Sequence, residues 1–454
     1  MAYTSFNPWT QQLHSSYREI SSSDLNNLLL KASESWVHWR NTPLEKRQKL
    51  FLKLKTNLQK RREEYSMLMA SEMGKPVRQG LAEVDKCALL CDYYANNAPG
   101  MLESEQRAST ARKSLIFFEP QGIILGIMPW NFPFWQVFRF FVPTLISGNA
   151  AILKHASNVP RCALAIEEVL LQSGFPEGVF TNIFPSHLQV SEIISSPLIR
   201  GVSLTGSNTA GIEIASIAGS HLKKVVMELG GSDPFIVFGD ADMDKAVEAF
   251  IASRFQNAGQ SCIAAKRLIV QKKIINDFKE KLLIQTRKLR VGNPLDPETD
   301  MGPMVNEKAV DELERQLRIT MEMGGKLLCG GRDRSLGPAV FLPSVVENVP
   351  FSAPLAVEEV FGPVAPLFAF DSVAEAVNMA NNTPFGLGAA VWTRDEELAL
   401  KVAGMIDTGT VAVNGFVKSE PGLPFGGVKD SGFGRELSSE GLREFVNIKT
   451  VNIF

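Results

Sequence analysis

The sequence predicts an α/β fold built on two Rossmann-type parallel sheets. Short apolar runs alternate with stretches of helical spacing over residues 123–227, and a second alternation of the same kind begins near residue 234. Strand, helix and strand in succession give parallel strands with helices on both faces of the sheet. The chain has 454 residues, too many for one hydrophobic core, which favours two or three domains.

The segment before the first alternation is predicted to be mainly helical. Ser23 or Asp24 is a candidate N-cap for a first helix. Thr42, which is followed by a proline, predicts the start of a second helix that continues to about residue 72. A third helix is expected over residues 77–95 because apolar side chains recur there at helical intervals.

A β-rich run at residues 112–119 precedes the first alternation and breaks the helical pattern. Five apolar runs and four helical stretches then predict the first parallel sheet and its covering helices. The apolar runs lie at 123–128, 150–153, 179–184, 201–204 and 224–227, and the helical stretches lie at 134–147, 159–173, 187–195 and 207–219.

The glycine pair at 230–231, followed by a serine, predicts a domain boundary before the second alternation. The chain ends in an alternating strand at 445–451, which must pair with a strand of this subunit or of a partner. The second alternation comprises a strand at 234–238, a helix at 242–255, a strand at 267–271, a helix at 274–289 and further units to about 415.

Composition excludes several classes of function. A hydrophobic content of 45% with 21% charged residues is typical of a globular protein, and a net charge of −2 argues against binding to nucleic acid or a membrane surface. The apolar stretch at 122–148 is broken by prolines and an arginine, so no membrane span is expected. Five irregularly spaced cysteines and five dispersed histidines predict neither a disulfide framework nor a metal site. Without a signal peptide at the N-terminus, a cytoplasmic location is expected.

Cys262 ends a run of small and amide side chains over residues 256–261. Small neighbours let a substrate carbonyl approach the sulfur, as a nucleophile requires. A free cysteine is also commonly a buried, inert core residue, and this alternative stays open on local composition alone.

Two further polar residues stand at strand ends. Asn131 lies in a loop after the run at 123–128, where its amide can donate to a developing oxyanion or can simply form part of a turn. Glu228 ends the apolar run at 224–227 beside flexible glycines. It is either a general base with a raised pKa or a solvated strand-end carboxylate.

Gly206 and Ser207 open a helix directly after a strand. The backbone N–H groups and the helix dipole at such a turn can meet a phosphate, although no GxGxxG fingerprint is correctly placed in the chain. The acidic turn at 358–363 and the glycine-rich loop at 424–429 are weak signals individually.

Taken together and in this order, the motifs resemble those of the aldehyde dehydrogenase superfamily over essentially the whole chain. The finer details are most similar to the bacterial NAD(P)-dependent succinate-semialdehyde dehydrogenase branch. The motifs are PWNFP at 129–133, LTGS at 204–207, ELGG at 228–231, GQSC at 259–262, EEVFGPV at 358–364 and PFGGVKDSGFGRE at 424–436.

The resemblance implies a division of catalytic roles. Cys262 would be the nucleophile that forms a thiohemiacetal with the aldehyde. Asn131 and the backbone N–H of Cys262 would hold the oxyanion, and Glu228 would activate the water that hydrolyses the thioester. A CoA-acylating enzyme would release that thioester to CoA instead, and the presence of Glu228 favours water.

The resemblance also implies NAD or NADP as the cofactor. Relatives that prefer NAD commonly carry a glutamate at the position of Ser157, where it repels a 2′-phosphate. The neutral Ser157, with Lys154 nearby, therefore predicts that NADP is accepted. The implied cofactor-binding residues are Trp130, Lys154, Ser157, Gly206, Ser207, Leu229, Glu359 and Phe361.

The implied substrate residues are Arg139, Gln256 and Ser419. Arg139 matches an arginine that contacts the substrate carboxylate in many semialdehyde dehydrogenases, although a helix-surface role stays open. Gln256 stands where one branch has a second arginine, and Ser419 could replace part of that polar contact. Succinate semialdehyde is thus the expected substrate. A broad-specificity aldehyde dehydrogenase and a non-catalytic binding protein of the same fold are the alternatives.

The expected architecture is two Rossmann-type domains and a small β element, in a homodimer or homotetramer. The predicted NAD(P)-binding domain comprises residues 1–99 and 119–229, the catalytic domain comprises 230–432, and the bridging element comprises 100–118 and 433–454.

Overall fold

The computed structural model describes residues 3–454, which form an α/β fold with five sheets. The elements of the first half are β1 (Tyr3–Phe6), β2 (Leu13–Tyr17), α1 (Ser22–Trp39), α2 (Leu44–Lys60), α3 (Arg62–Met73), α4 (Val77–Leu102), β3 (Glu105–Arg107), β4 (Lys113–Pro120), β5 (Ile123–Met128), α5 (Trp135–Ile146), β6 (Ala150–His155), α6 (Pro160–Gln172), β7 (Phe180–Ile183), α7 (His187–Ser195), β8 (Ile199–Thr205), α8 (Asn208–Ser220) and β9 (Lys224–Glu228).

The second half repeats the alternation and adds short strands near its end. Its elements are β10 (Asp233–Val237), α9 (Met243–Phe255), a 3₁₀ turn (Gln256–Gly259), β11 (Ala265–Gln271), α10 (Ile275–Thr286), α11 (Glu307–Glu322), β12 (Lys326–Arg332), β13 (Phe341–Glu347), α12 (Pro354–Val357), β14 (Val364–Phe370), α13 (Val373–Asn381), β15 (Phe385–Gly386), β16 (Gly388–Trp392), α14 (Glu396–Ala403), β17 (Thr410–Val413), β18 (Val428–Lys429), β19 (Gly432–Phe433), α15 (Ser438–Arg443) and β20 (Val446–Ile453).

The first large sheet has the strand order β19-β9-β8-β5-β6-β7, and all its pairs are parallel except β19 with β9. Alternate residues of β5 enter two different cores: Ile124 faces the helices α2 to α6, and Ile123 and Leu125 face α7 and α8. Apolar side chains on both faces are what a parallel sheet covered by helices requires.

The second large sheet has the order β12-β13-β14-β11-β10-β16-β17, with one antiparallel pair at its β12 edge. It encloses a separate core. The α/β fold with two parallel-rich sheets is confirmed.

The C-terminal strand β20 pairs antiparallel with β4 of the same subunit, from Val446 opposite Pro120 to Ile453 opposite Lys113. With β3 they form a three-stranded sheet of their own. The expectation of a paired terminal strand is confirmed for this subunit, and β20 is left as an exposed edge.

Three predictions about the N-terminal helices were wrong. The N-cap of α1 is Ser21, whose Oγ accepts from the Asp24 backbone N at 3.1 Å. Thr42 does not cap α2, because its Oγ1 donates to the His38 carbonyl and Pro43 occupies the cap position. The predicted single helix to residue 72 is two helices, which divide at Arg61 (φ −107°, ψ 14°).

The parallel order of the first sheet brings several predicted site residues to one edge. The carboxyl ends of β5, β6, β8 and β9 lie side by side there. Asn131 follows β5, Lys154 lies near the end of β6, Gly206 follows β8 and Glu228 ends β9. Ligands of open α/β sheets bind at this edge. Among residues 3–454, no helix is long and apolar enough to cross a membrane.

Candidate active site

Cys262 follows a tight left-handed turn between α9 and β11. Asn257, Ala258 and Gly259 have φ values of 53°, 54° and 69°, a conformation that asparagine and glycine tolerate and alanine does not favour. A Cβ at Gly259 would overlap the Gly362 carbonyl, so the turn packs directly on the acidic loop at 358–363. The turn leaves Cys262 partly buried at the edge of a cavity.

Two buried cations hold this turn in place. Lys266 Nζ donates to the carbonyls of Cys262 at 3.2 Å and Gly231 at 2.6 Å, and it forms an ion pair with Glu359. Arg254 donates to carbonyls of both the turn and the acidic loop. The nucleophile's backbone is therefore tied to the second sheet, to the 230–231 glycine pair and to the acidic loop.

The side chain of Asn131 is buried and held in one orientation. Its Nδ2 donates to the Gln260 carbonyl at 3.0 Å, and Asn257 Nδ2 donates to the Asn131 carbonyl at 2.8 Å. Two residues before Cys262, Gln260 also accepts from Asn257 Nδ2 at 3.3 Å. An amide fixed beside the turn of the sulfur has the rigidity that an oxyanion donor needs.

A buried histidine that the sequence did not single out supports the loop of Asn131. Burial lowers the pKa of His155 to about 4, so its ring is neutral. Nε2 lies 3.0 Å from the Pro133 carbonyl oxygen, and Nδ1 lies 3.1 Å from the Met128 carbonyl oxygen and 2.9 Å from the Ala156 backbone N. In either neutral tautomer the ring therefore links the ends of β5 and β6 to the loop of Asn131. Only its place at the end of β6, opposite β5, could have indicated this role.

Burial raises the pKa of the Cys262 thiol to about 11, against the opposing influence of the positive charges of Arg139 and Lys266. At neutral pH the sulfur is therefore a thiol, and its attack on a carbonyl requires a proton acceptor.

Glu228 is fully enclosed at the end of β9, and neither of its carboxylate oxygens has a hydrogen-bond partner among residues 3–454. Burial raises its pKa well above the ordinary range, against the lowering influence of Arg139. A buried carboxyl group without partners costs stability, so its retention points to chemistry.

A cavity of about 460 Å³ opens beside Cys262. It brings together the sulfur and the three predicted substrate residues Arg139, Gln256 and Ser419. Asn131 and Glu228 do not line this cavity. Lys86, which the sequence gave no reason to single out, also lines it.

Arg139 is not on a helix surface: its side chain is buried and forms an ion pair with Glu436. Its guanidinium also lies 4.6 Å from the ring centre of Phe425. Glu436 is a further residue that sequence reasoning missed, although it ends the PFGGVKDSGFGRE motif. Burial raises the pKa of Glu436, and Arg139 opposes that rise.

The predicted phosphate turn lies between the end of β8 and the first residue of α8. Ser207 caps α8 through Oγ, which accepts from the Ala210 backbone N at 3.3 Å, and Gly206 N donates to the Glu228 carbonyl at 3.0 Å. The side chain of Leu229 packs against α8, where a Cβ on Gly211 would come within 2.6 Å of it.

The remaining predicted cofactor residues fall into two groups. Lys154 and Ser157 lie at the end of β6, and burial lowers the pKa of Lys154 while Ser157 is exposed. The second group comprises Glu359 and Phe361 of the acidic loop and Trp130 of the loop after β5. Glu359 Oε1 accepts from Gly231 N at 3.1 Å, and the rings of Trp130 and Phe361 meet edge to face with centres 6.0 Å apart.

Comparison with known proteins agrees with this geometry. A model of the "Aldehyde dehydrogenase family" matches residues 1–451. A Synechocystis protein named "Probable succinate-semialdehyde dehydrogenase", with NADP(+) as cofactor, is 44% identical over 99% of both chains. A Mycobacterium bovis protein named NADP(+) succinate-semialdehyde dehydrogenase 1 is 41% identical over 99% of both chains.

Among solved structures, succinic semialdehyde dehydrogenase from Streptococcus pyogenes, in complex with NADP+, superposes on this chain with a TM-score of 0.97. It is 36% identical, and the match covers 100% of both chains. The motifs, the fold and these similarities lead to one conclusion: the chain belongs to the aldehyde dehydrogenase family.

Proposed function

We propose that the protein oxidises succinate semialdehyde, or a similar short aldehyde with a terminal carboxylate, to the acid with NADP or NAD. The observation that carries this proposal is one cavity lined both by Cys262 and by cationic side chains, namely Arg139, Lys86 and Lys418. A sulfur nucleophile accounts for the aldehyde end of such a substrate, and positive charge accounts for the carboxylate end. The names of the Synechocystis and M. bovis relatives agree with this assignment.

In the proposed reaction, the Cys262 thiol gives its proton to water, and Sγ adds to the aldehyde carbon and forms a thiohemiacetal. The Asn131 side-chain amide and the Cys262 backbone N–H donate to the oxygen as it gains negative charge. The bound cofactor supplies the hydride acceptor. The acyl group then stays on Sγ as a thioester.

Glu228 is the proposed base for hydrolysis of this thioester. Its raised pKa suits it to take a proton from water, whose oxygen attacks the acyl carbon and releases the acid and the Cys262 thiol. Arg139 lowers the pKa of both Cys262 and Glu228, so it favours the charged form of each.

The residues present fit a nicotinamide dinucleotide. The N-terminus of α8, with Ser207 as its cap, offers backbone N–H groups to the pyrophosphate, and Lys154 and Ser157 would hold the adenosine ribose. Glu359 would accept from the nicotinamide ribose. The cofactor channel would be lined by Trp130, Leu229 and Phe361. With no carboxylate at position 157, a 2′-phosphate is not repelled, and the relatives named as NADP(+) enzymes agree.

We also propose the domain division and the assembly expected from the sequence. The separate cores of the two large sheets support a cofactor domain of 1–99 and 119–229 and a catalytic domain of 230–432. The exposed edge of β20 supports a homodimer or homotetramer in which residues 100–118 and 433–454 bridge subunits. The five cysteines are all free, which supports a reducing cytoplasm.

A broad-specificity aldehyde dehydrogenase is the second candidate function. Aromatic side chains cover much of the cavity and suit an uncharged aldehyde equally well. These are Phe132, Trp135, Phe416 and Phe425.

The experiment that tests the proposal is steady-state kinetics on succinate semialdehyde and butanal with each cofactor. We expect kcat/KM to be higher for succinate semialdehyde, and NADP to be accepted. Equal efficiency on the two aldehydes would favour the broad-specificity enzyme.

Cys262→Ala should abolish turnover with both aldehydes, because among residues 3–454 no other cysteine lines the cavity. The matched control is Cys329→Ala, which removes the other partly buried cysteine and should leave kcat within about 2-fold of wild type. Residual turnover of Cys262→Ala near the wild-type rate would exclude Cys262 as the nucleophile.

A further inference from the structure

A substrate carboxylate in the cavity needs a positive charge that is not already neutralised. Arg139 offers only part of one: its guanidinium is buried against the carboxylate of Glu436, although its Nη2 has no hydrogen-bond partner among residues 3–454. Two lysines, Lys86 and Lys418, also line the cavity, and Lys418 is exposed. The rest of the charge should therefore come from the half-buried lysine.

Lys86 on α4 meets this requirement. Its Nζ lies 2.8 Å from Ser419 Oγ and 4.0 Å from the ring centre of Trp135. Among residues 3–454 no carboxylate lies within ion-pair distance of Lys86. An ammonium group has three N–H donors, and the hydrogen bond to Ser419 uses one.

Ser419 is arranged to donate to a ligand. Its side chain is 4% exposed, and Oγ accepts both from Lys86 Nζ at 2.8 Å and from Trp135 Nε1 at 3.0 Å. A hydroxyl oxygen has two acceptor positions, and these two donors fill them. The O–H hydrogen of Ser419 is therefore left to donate, and Ser419 lines the cavity.

Lys86 and Ser419 line the same cavity as Cys262. A substrate in this cavity that presents its aldehyde carbon to the sulfur can therefore present its other end to Lys86 and Ser419.

We propose that Lys86 and Ser419 together bind the terminal carboxylate of the substrate, and that Lys86 sets the preference for carboxylated over uncharged aldehydes. This assignment rests on the proposed function and makes its substrate end specific. Lys86 contributes the charge and two N–H donors, and Ser419 contributes one O–H donor.

The ionisation of Lys86 suits a ligand site. Burial, followed by the positive charge of Arg139, lowers its pKa to about 8, while Cys87, Glu83 and Glu420 oppose the shift. Lys86 is therefore charged at neutral pH and loses its proton as the pH rises through 8. KM for succinate semialdehyde should rise over that interval more steeply than KM for butanal.

The test replaces Lys86 by methionine, which keeps an unbranched stem against Trp135 and removes the charge. A hydrogen bond to a charged group contributes about 1.5–3 kcal/mol, so the ratio of kcat/KM for succinate semialdehyde to that for butanal should fall about 10- to 100-fold. Lys86→Arg should recover most of the ratio because the charge is kept. The matched control is Lys60→Met, an exposed lysine at the end of α2 that does not line the cavity, which should change the ratio by less than about 3-fold.

The outcomes separate this inference from the proposed function. A wild-type preference for succinate semialdehyde that survives in Lys86→Met overturns the role of Lys86 and leaves the proposed function standing. An equal loss on both aldehydes also overturns it, because it shows a structural effect. If wild type shows no preference, the proposed function fails, and succinate inhibition of butanal oxidation decides the inference. Inhibition that is lost in Lys86→Met upholds the carboxylate site, and inhibition unchanged in Lys86→Met, or absent in wild type, overturns it.

Discussion

Two regions of this protein contain buried glutamates. Their carboxylate oxygens accept hydrogen bonds in one region, and those of Glu228 accept none in the other. On the helical side of the first sheet, Glu72 accepts from the first backbone N–H groups of α6, at 3.1 and 2.9 Å. Glu83 accepts from two N–H groups at the start of α5, both at 2.9 Å, and forms an ion pair with buried Lys75. At the edge of the same sheet, both oxygens of Glu228 are buried and unpartnered.

The difference agrees with a structural role for Glu72 and Glu83 and with the catalytic role proposed for Glu228. A carboxylate at a helix N-terminus satisfies orphan N–H groups and interacts favourably with the helix dipole. A buried polar group without partners costs about 1–3 kcal/mol. Since the fold satisfies Glu72 and Glu83 fully, the unpartnered state of Glu228 points to a ligand or a water molecule that its oxygens serve.

The largest expected effect is the fall in kcat that Glu228→Gln should cause. Removal of the base should lower kcat by about 10²- to 10⁴-fold while the thioester accumulates on Cys262. Rapid-mixing kinetics should then show a burst of reduced cofactor followed by slow turnover. Glu72→Gln is the control and should stay within about 3-fold of wild type, because Glu72 caps α6 and lies outside the cavity. An unchanged steady-state rate in Glu228→Gln would remove it from the role of base.

The second largest expected effect is the loss of folding stability that Glu83→Gln should cause. This change leaves the buried charge of Lys75 without its partner, which should lower the free energy of unfolding by about 3–5 kcal/mol. Urea unfolding followed by fluorescence measures it. Glu228→Gln serves as the control and should be as stable as wild type or more so. If both variants lose the same stability, the distinction between the two regions is wrong.

The smallest effect is on the pH dependence of stability. Burial raises the pKa of Glu72 to about 7, against its backbone hydrogen bonds. A carboxyl group with a raised folded-state pKa stabilises the fold fully below its unfolded pKa, and this contribution is lost as the pH rises through 7. The free energy of unfolding should therefore fall between pH 5 and 8, and Glu72→Gln should reduce that fall by about 2 kcal/mol.

The control for this pH series is Glu34→Gln on the exposed face of α1, which should leave the pH profile unchanged. Buried Asp233, whose pKa burial also raises to about 7, adds to the fall in the same direction in every variant. A Glu72→Gln profile identical to that of wild type would show that Glu72 stays ionised in the fold.

The parallel sheets could be predicted well, because the spacing of apolar residues and the placement of turn residues are visible within short segments of sequence. The predicted ranges of β5 and α7 coincide with those found. The break at Arg61 could not be predicted, since helical spacing continues through it. Cys262 and Glu228 stood out by their motifs, and their roles stay predictions.

The partners of the buried charges could not be read from the sequence. Arg139 and Glu436 lie almost 300 positions apart, and the cavity residues Lys86 and Ser419 lie 333 positions apart. No local period reports such a pairing, because it depends on how α4, α5 and the loop before β18 meet in three dimensions. The resemblance directed attention to Arg139, whereas only the fold drew attention to Lys86, which lines the cavity beside Ser419.

The location of α4 has an evolutionary consequence. Helix α4 and the loop that carries Ser419 contribute no strand to either large sheet, whereas Glu228 ends β9 and Cys262 lies in the turn before β11. If the proposed roles hold, substitutions on α4 and this loop exchange one class of aldehyde for another and leave the proposed reacting groups in place. Paralogues with new substrates could therefore arise by few mutations on these two segments.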